Sequence, residues 1–512
     1  MNILGARRWW ALAAVSLAVF AVGLDGTVLS VALPTLSKAL DASESDLQWF
    51  SSIYLLVLAA SMLPVGLLGD RYGHKKVLLV SLGMFGLGSA VSGYSTSVSE
   101  FMAARVLMGV AGAGIVVMAI SSLTVLFSKE ERPKAVGVWS AANFLSLPIG
   151  PIFGGWLLTH YWWGWVFLMN VPVAAFGLVA GGFLIPESRP SRRPSVDFLG
   201  VALSVGGLVA LLYGLIEAGQ KSWGDHAALA CIFTGLVVLV GFFAWERRLT
   251  RLPGGDPLLD LSLFDSASFT WGVILAAFVI LSMFGVLFTL PQYFQGVLGT
   301  NPIGSGLRLL PLIGGLIVGA VPAAKLSTLV GAKVATTTGF LLLAAGLFIG
   351  SATSVLSSPV FIMVWTGILG LGIGIAMATS ASAALVEMTA EQSGVASAVL
   401  QAVNKTGAPL GTAILGSVLS ATYLGHLDLS GLSAPAASAV RQSIFGGVAV
   451  AQQLHSIALL TSVRHAFVVG MDRALLVSGA IALVGAVLTV LFLPRSNTPV
   501  STLPTEVVTE PH

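Results

Sequence analysis

The chain has 512 residues, of which 56% are hydrophobic and only 9% are charged. Soluble proteins usually carry about a quarter charged residues, so this composition excludes an ordinary soluble protein. The single cysteine, Cys231, excludes an intrachain disulfide, and the net charge of +3 says little by itself. Apolar runs of about twenty residues recur from end to end, and they predict an all-α polytopic membrane protein.

Hydropathy predicts fourteen membrane-spanning helices, called spans 1 to 14 in this section. They cover residues 10–33, 48–68, 77–95, 101–122, 135–158, 165–185, 198–218, 227–245, 269–290, 303–324, 334–353, 359–384, 394–420 and 467–493. With the N-terminus in the cytoplasm, 17 of the 25 Lys and Arg residues fall in cytoplasmic segments and 4 in external loops. This bias follows the positive-inside rule, so both termini are predicted to be cytoplasmic.

Span 1 carries a carboxylate, Asp25, about 22 Å from its start in an otherwise apolar stretch. A charge near the bilayer centre costs at least ~2.5 kcal/mol, and protonation removes that cost. We therefore expect Asp25 to gain and lose a proton. Arg105 in span 4 lies at a similar depth and is the candidate partner. Two alternatives remain: Arg105 could hold Asp25 ionised permanently, or it could reach toward the outer interface.

The stretch GLLGDRYGHKK, residues 66–76, is expected to form a cytoplasmic loop between spans 2 and 3. Gly66 would let neighbouring helices approach closely, and Gly73 would permit a tight turn. Asp70 could accept hydrogen bonds at a helix end, and Arg71 could pair with another carboxylate. An ordinary basic loop would explain the same residues.

Small residues in span 5 predict a close helix contact. Gly150, Gly154 and Gly155 would let two backbones approach, and Pro151 would favour a bend because it removes a backbone donor. Glycine is also frequent in membrane helices generally, so the pattern is not specific by itself.

A faint repeat relates the two ends of the chain. Gly73-His74-Lys75 follows span 2 and Gly331-Ala332-Lys333 follows span 10, which predicts two similar halves with a site between them and spans 7 and 8 as an inserted pair. The predicted domains are a six-helix bundle at 1–186, the inserted pair at 187–250, a second six-helix bundle at 251–494 and a cytoplasmic tail at 495–512. Within the second bundle, residues 424–465 are predicted to form short helices on the outer face.

Several motifs resemble those of one known family. The pattern GxLxDRxGxK at 66–76 is similar to the signature of the major facilitator superfamily, and LDGTVLSVALP at 24–34 resembles the first-helix motif of its fourteen-helix drug:proton antiporter branch. Further stretches resemble motifs of this branch in the same chain order, at 105–109, 150–155, 163–172, 257–264 and 290–299.

The resemblance implies a proton-coupled efflux antiporter for drugs or antibiotics that works by alternating access. It implies roles in proton coupling for Asp25 and Arg105, and in conformational change for the two glycine motifs. It further implies lipophilic small-molecule substrates, contact with membrane lipid, no nucleic acid, no cofactor besides the proton, a monomer and a bacterial plasma membrane. The alternative is an exporter of lipids, fatty acids or other amphiphiles on the same scaffold. A non-transporting membrane scaffold is disfavoured by Asp25, and an enzyme by the lack of GxxxxGK[ST] and HExxH motifs.

Aromatic and amide side chains are expected to line an adaptable substrate cavity. The candidates are Tyr54, Trp139, Asn143, Phe284, Gln292, Phe294, Gln401 and Asn404, together with Asp25 and Lys405. Lys405 lies near the middle of span 13, where the best-known drug pumps often have an acidic residue. It could be a counter-ion for Asp25 or a contact for an anionic group on the substrate.

Overall fold

The computed structural model describes residues 3–127, 131–187, 197–252, 257–258, 261–386 and 393–494. The regular structure of these residues is helical. The helices are α1 (Ile3–Ala39), α2 (Glu44–Tyr72), α3 (His74–Tyr94), α4 (Val98–Leu126), α5 (Arg132–His160), α6 (Trp165–Leu168), α7 (Asn170–Leu184), α8 (Phe198–Gln220), α9 (His226–Arg251), α10 (Ala267–Gln292), α11 (Pro302–Arg308), α12 (Leu310–Ala320), α13 (Ala323–Val330), α14 (Ala332–Gly350), α15 (Pro359–Leu385), α16 (Ser393–His426), α17 (Ala434–Gln442), α18 (Ile444–Gln453) and α19 (Ile457–Phe492). A short 3₁₀ helix (Leu261–Asp265) precedes α10, and a π-helix (Tyr293–Val297) follows it.

Twelve helical segments in the described ranges are long and apolar enough to cross a membrane. Helices α2 and α5 occupy the predicted spans 2 and 5 and have 29 residues each. At 1.5 Å per residue each is about 44 Å long, which exceeds the ~30 Å of the hydrocarbon core. The count of fourteen spans and the cytoplasmic termini stay predictions. Spans 6 and 10 are interrupted, at Met169 and Leu309 respectively.

The long helices pack in two groups. In the first group, α1 packs against α4, α5 and α7, while α4 also packs against α2 and α3. In the second group, α10 packs against α15, α16 and α19, while α15 also packs against α12 and α14. Helices α8 and α9 pack against each other, and α8 contacts α2 and α16. The exact domain boundaries stay predictions.

The two groups meet tightly at the end of the molecule where α1 ends and α2 begins, called the closed end below. Gln295 donates to the carbonyl oxygen of Val31 over 3.1 Å, and Gln292 donates to Oε1 of Glu44 over 3.3 Å. Glu44 is held there because α2 starts with a capping box, in which Ser43 and Asp46 bond each other's backbone N–H. The sequence-based topology places this end outside the cell.

The predicted loop at 66–76 is wrong, because α2 continues to Tyr72 and α3 starts at His74. Gly73 alone makes the turn, with φ at +109°, a conformation that side chains with a Cβ rarely adopt. Gly331 makes the corresponding turn between α13 and α14, with φ at +86°. The two parts of the faint sequence repeat therefore have the same local structure.

The predicted short helices within 424–465 are confirmed as α17 and α18. The flanking helices also extend into this segment, because α16 ends at His426 and α19 already begins at Ile457, ten residues before predicted span 14. The segment contacts the first group through Ser443, whose Oγ lies 3.4 Å from Oγ of Ser37 on α1.

Candidate functional site

A buried ion pair joins α1 and α4. Arg105 donates through Nη1 to Oδ2 of Asp25 over 2.5 Å, and both side chains are completely buried. Asn170, the first residue of α7, donates to the other carboxylate oxygen, Oδ1, over 3.3 Å, and to Ser89 Oγ over 3.1 Å. The geometry of the expected pair is thus present, while its role in proton coupling stays a prediction.

The guanidinium of Arg105 has N–H donors that its bond to Asp25 does not use. Its Cζ lies 4.3 Å from the centre of the Tyr54 ring and 5.8 Å from that of Phe167, which are distances typical of cation–π contacts. In the described part of the chain, its Nε and Nη2 have no hydrogen-bond partner. Unbonded buried donors are costly, so Arg105 is able to take a second acceptor without breaking an existing bond.

A central cavity of about 140 Å³ lies between α1, α2 and α5 of the first group and α10, α15 and α16 of the second. Gly26 and Thr27 form part of its wall, directly after Asp25 in the chain. Five of the candidate residues line it, and these are Trp139, Phe284, Gln401, Asn404 and Lys405.

Four candidates do not line this cavity. Asp25 and Tyr54 are fully buried in the ion-pair region, where the Tyr54 hydroxyl donates to the Val22 carbonyl over 3.0 Å. Gln292 and Phe294 are fully buried at the closed end, because Gln292 lies about 12 Å beyond Phe284 along α10.

Lys405 is not a counter-ion of Asp25 in this structure, since the carboxylate is bonded to Arg105 and Asn170 instead. The tenth candidate, Asn143, lies on α5, and its side chain is outside the described part of the structure.

The glycine motif of α5 packs as predicted. Side chains of α1 occupy the space where a Cβ would be on Gly150 and on Gly154, namely Thr27 and Val28. A Cβ on Gly155 would lie 2.7 Å from the carbonyl oxygen of Pro302 on α11. Reciprocally, a Cβ on Gly306 of α11 would lie 2.6 Å from the carbonyl oxygen of Pro151. The motif therefore joins the two groups of helices at the closed end.

The motif at 66–76 joins helix ends. Gly66 leaves room for Val117 of α4, which would lie 3.6 Å from an added Cβ. Arg71 is exposed, with its Cζ 5.7 Å from the centre of the Tyr72 ring. Asp70 lies in the last turn of α2, and its side chain is outside the described part of the structure. Lys75 donates through Nζ to the Gly182 carbonyl at the C-terminal end of α7 over 2.6 Å.

Sequence reasoning missed Asn170 and Glu44, and it did not identify the contact that Lys75 makes. Asn170 is part of the matched stretch 163–172, and a polar amide at the start of a span was the available signal. Lys75 follows the preference of cations for helix C-termini, but only the fold shows which helix it reaches. Glu44 is an acid next to a capping serine, which is typical of an exposed helix start, so its burial had no sequence signal.

Two groups of membrane-length helices around a central cavity, with a buried ion pair directly behind its wall, define a multi-pass membrane transporter. The chain belongs to the Major Facilitator Superfamily, whose family model matches residues 15–412. It is therefore a transporter rather than an enzyme.

Curated relatives match nearly the whole chain. It is 35% identical over 493 residues to the tetracenomycin C resistance and export protein of Streptomyces glaucescens, covering 94% of this chain and 90% of that protein. It is 33% identical over 498 residues to the multidrug efflux pump LfrA of Mycolicibacterium smegmatis, covering 94% and 96% respectively. With bacterial relatives and multiple candidate spans, the predicted location in a bacterial plasma membrane is confirmed.

The fold is shared with a solved structure of a bacterial homologue of the human lysosomal transporter Spinster. The TM-score is 0.68 at 16% sequence identity, covering 95% of this chain and 97% of that one.

Proposed function

We propose that the chain exports lipophilic drugs or antibiotics across the plasma membrane in exchange for protons, by alternating access and without a cofactor besides the proton. The observation that carries the proposal is the fully buried Asp25–Arg105 pair, one residue from the wall of the central cavity. The two curated relatives, an antibiotic resistance and export protein and a multidrug efflux pump, support the substrate class.

The ion pair supplies a proton-binding step. While Arg105 and Asn170 bond the carboxylate, Asp25 is stabilised in its charged form. A proton that binds Oδ2 displaces the Arg105 donor, and the neutral acid no longer needs a buried counter-charge. Movement of α1 against α4 thereby couples proton binding to the shape of the cavity wall at Gly26 and Thr27.

The closed end supplies the gate. Export requires the contact between Gly155 on α5 and Pro302 on α11 to separate, so that the cavity opens on that side. Because glycines bring backbones together without interlocking side chains, two such helices can part and meet again at small energetic cost.

A second candidate function is export of acidic lipids or other amphiphiles on the same scaffold. The cationic side chain of Lys405 in the cavity wall favours this candidate, since it suits an anionic head group.

The test is a resistance and transport panel with Asp25→Asn. Cells with the wild-type chain should survive lipophilic dyes and antibiotics, and cells with Asp25→Asn at equal protein level should lose this resistance. Proteoliposomes with an imposed pH gradient should show the same loss of proton-driven transport. Asp41→Asn is the matched control, because Asp41 is exposed in the loop after α1 and should keep full activity.

Resistance that survives Asp25→Asn would refute the proton role of this acid. Export of an acidic amphiphile without any drug resistance would support the second candidate instead.

A further inference from the structure

The wall of the central cavity contains a cation with no counter-charge. Lys405 lies on α16 next to Asn404 and one turn after Gln401, and all three line the cavity. Among the described residues, its ammonium makes no ion pair and no hydrogen bond. The side chain is half-buried, and an ammonium that has lost part of its hydration without gaining a counter-charge would be stabilised by an anionic group in the cavity.

Two further polar atoms belong to residues of the cavity wall, are covered by neighbouring atoms in this structure and have no hydrogen-bond partner within the described part of the chain. They are the indole Nε1 of Trp139, on the opposite wall, and Oδ1 of Asn404. Both side chains are at least nine-tenths buried. Buried polar atoms in folded proteins are nearly always bonded, so we expect these two side chains to turn toward the cavity when a ligand supplies the missing bonds. The set offers two donors, from Lys405 and Trp139, and one acceptor.

Apart from Thr27 and Ser146, the remaining wall is apolar, and the cavity has the size of one ring. Phe284, Met283 and Met377 contribute aromatic and thioether surface. The cavity volume of about 140 Å³ is close to that of engineered apolar cavities that hold benzene. The closed form therefore has room for one ring of a ligand, with its polar substituents against α16 and Trp139.

We infer that this transporter selects lipophilic ring compounds that carry an acidic group, a carboxylate or a phenolate, and that Lys405 is the specificity-determining residue. The inference rests on the proposed export function. An acidic group accepts hydrogen bonds from Lys405 and Trp139, while Asn404 accepts one from a hydroxyl of the ligand. The same lysine disfavours dicationic ligands, because like charges at a desolvated site repel.

The test compares two one-ring probes of matched shape, phenylacetate and phenylacetamide, by calorimetric binding to the purified full-length protein at pH 7. We expect the wild type to bind the acid about tenfold more tightly than the amide, because hydrogen bonds to charged groups are the stronger ones. Lys405→Gln should abolish this preference and Lys405→Arg should keep it. Lys221→Gln removes the same charge at an exposed site outside the cavity and should leave the preference intact.

Equal affinity of the wild type for both probes would overturn the inference, as would an equal loss of both in Lys405→Gln. In cells, Lys405→Gln should raise resistance to the dication methyl viologen, and unchanged resistance would contradict the repulsion. If Asp25→Asn leaves transport intact while the acid preference depends on Lys405, the proton mechanism fails and the inference stands. If Asp25→Asn abolishes export while Lys405→Gln keeps the preference for the acid, the proton mechanism stands and the inference about Lys405 fails.

Discussion

The two groups of helices treat buried charge differently. In the first group, the carboxylate of Asp25 and the guanidinium of Arg105 neutralise each other in a site with no solvent exposure. In the second group, Lys405 lies at the cavity wall without any described counter-charge. The pair is neutral without a ligand for as long as Asp25 is ionised, whereas the charge of Lys405 is neutralised only when an anionic ligand binds. The comparison assigns the Asp25–Arg105 pair to the transport mechanism and Lys405, on the other side of the cavity, to ligand recognition.

The largest expected effect breaks the neutralised pair. Arg105→Met should lower the free energy of unfolding by about 3–5 kcal/mol, because it leaves Asp25 buried without a counter-charge. Chemical denaturation of the purified protein in detergent measures this loss. Arg71→Met removes the same charge from an exposed position on α2 and should change stability by less than about 0.5 kcal/mol.

The double variant Asp25→Leu with Arg105→Met sharpens the same point, since replacing both charges with apolar groups should restore most of the stability. A double variant as unstable as Arg105→Met would show that the partner charge is not the reason for the loss.

A smaller effect concerns the contact through which the two groups meet. Gly155→Ala adds a Cβ 2.7 Å from the Pro302 carbonyl and should destabilise the closed end by about 1–3 kcal/mol. In a Cys231→Ser background, maleimide labelling of Ser37→Cys, which is buried at that end, should become roughly fivefold faster or more. Gly314→Ala is the control, because a Cβ at that position of α12 meets no atom within 4 Å. Equal labelling rates in the two alanine variants would show that this contact does not hold the end closed.

The sequence predicted the paired charges well and the cavity poorly, for a physical reason. A charge in an apolar run is visible in the sequence, and two opposite charges at equal depth have few other partners, so Asp25 and Arg105 could be matched. The cavity wall depends on which face each helix turns inward, and hydropathy does not indicate this when a helix is apolar all round. Gln292 and Phe294 were therefore assigned to the cavity although they lie at the closed end.

Helix ends show the same limit. The glycine in GHK predicted a turn, but not that one residue would suffice, because α2 and α3 both extend to Gly73. Glu44 has a sequence context typical of an exposed helix start, yet it is buried and accepts a hydrogen bond from Gln292 at the end of α10. Contacts between distant segments decide these positions, and no local pattern encodes them.

The smallest expected effect tests the uncompensated charge itself. Lys405→Met keeps a flexible chain of similar length and removes an ammonium that has no described partner, so the stability of the ligand-free protein should change by less than about 1 kcal/mol or rise slightly. Denaturation under the conditions used for Arg105→Met measures the difference between the two variants directly. A loss of more than about 2 kcal/mol would mean that Lys405 has a protein partner, because only a bonded charge is costly to remove. The contrast between a paired charge in the first group and an unpaired charge in the second would then disappear, and Lys405 would stabilise the fold rather than bind an acidic ligand.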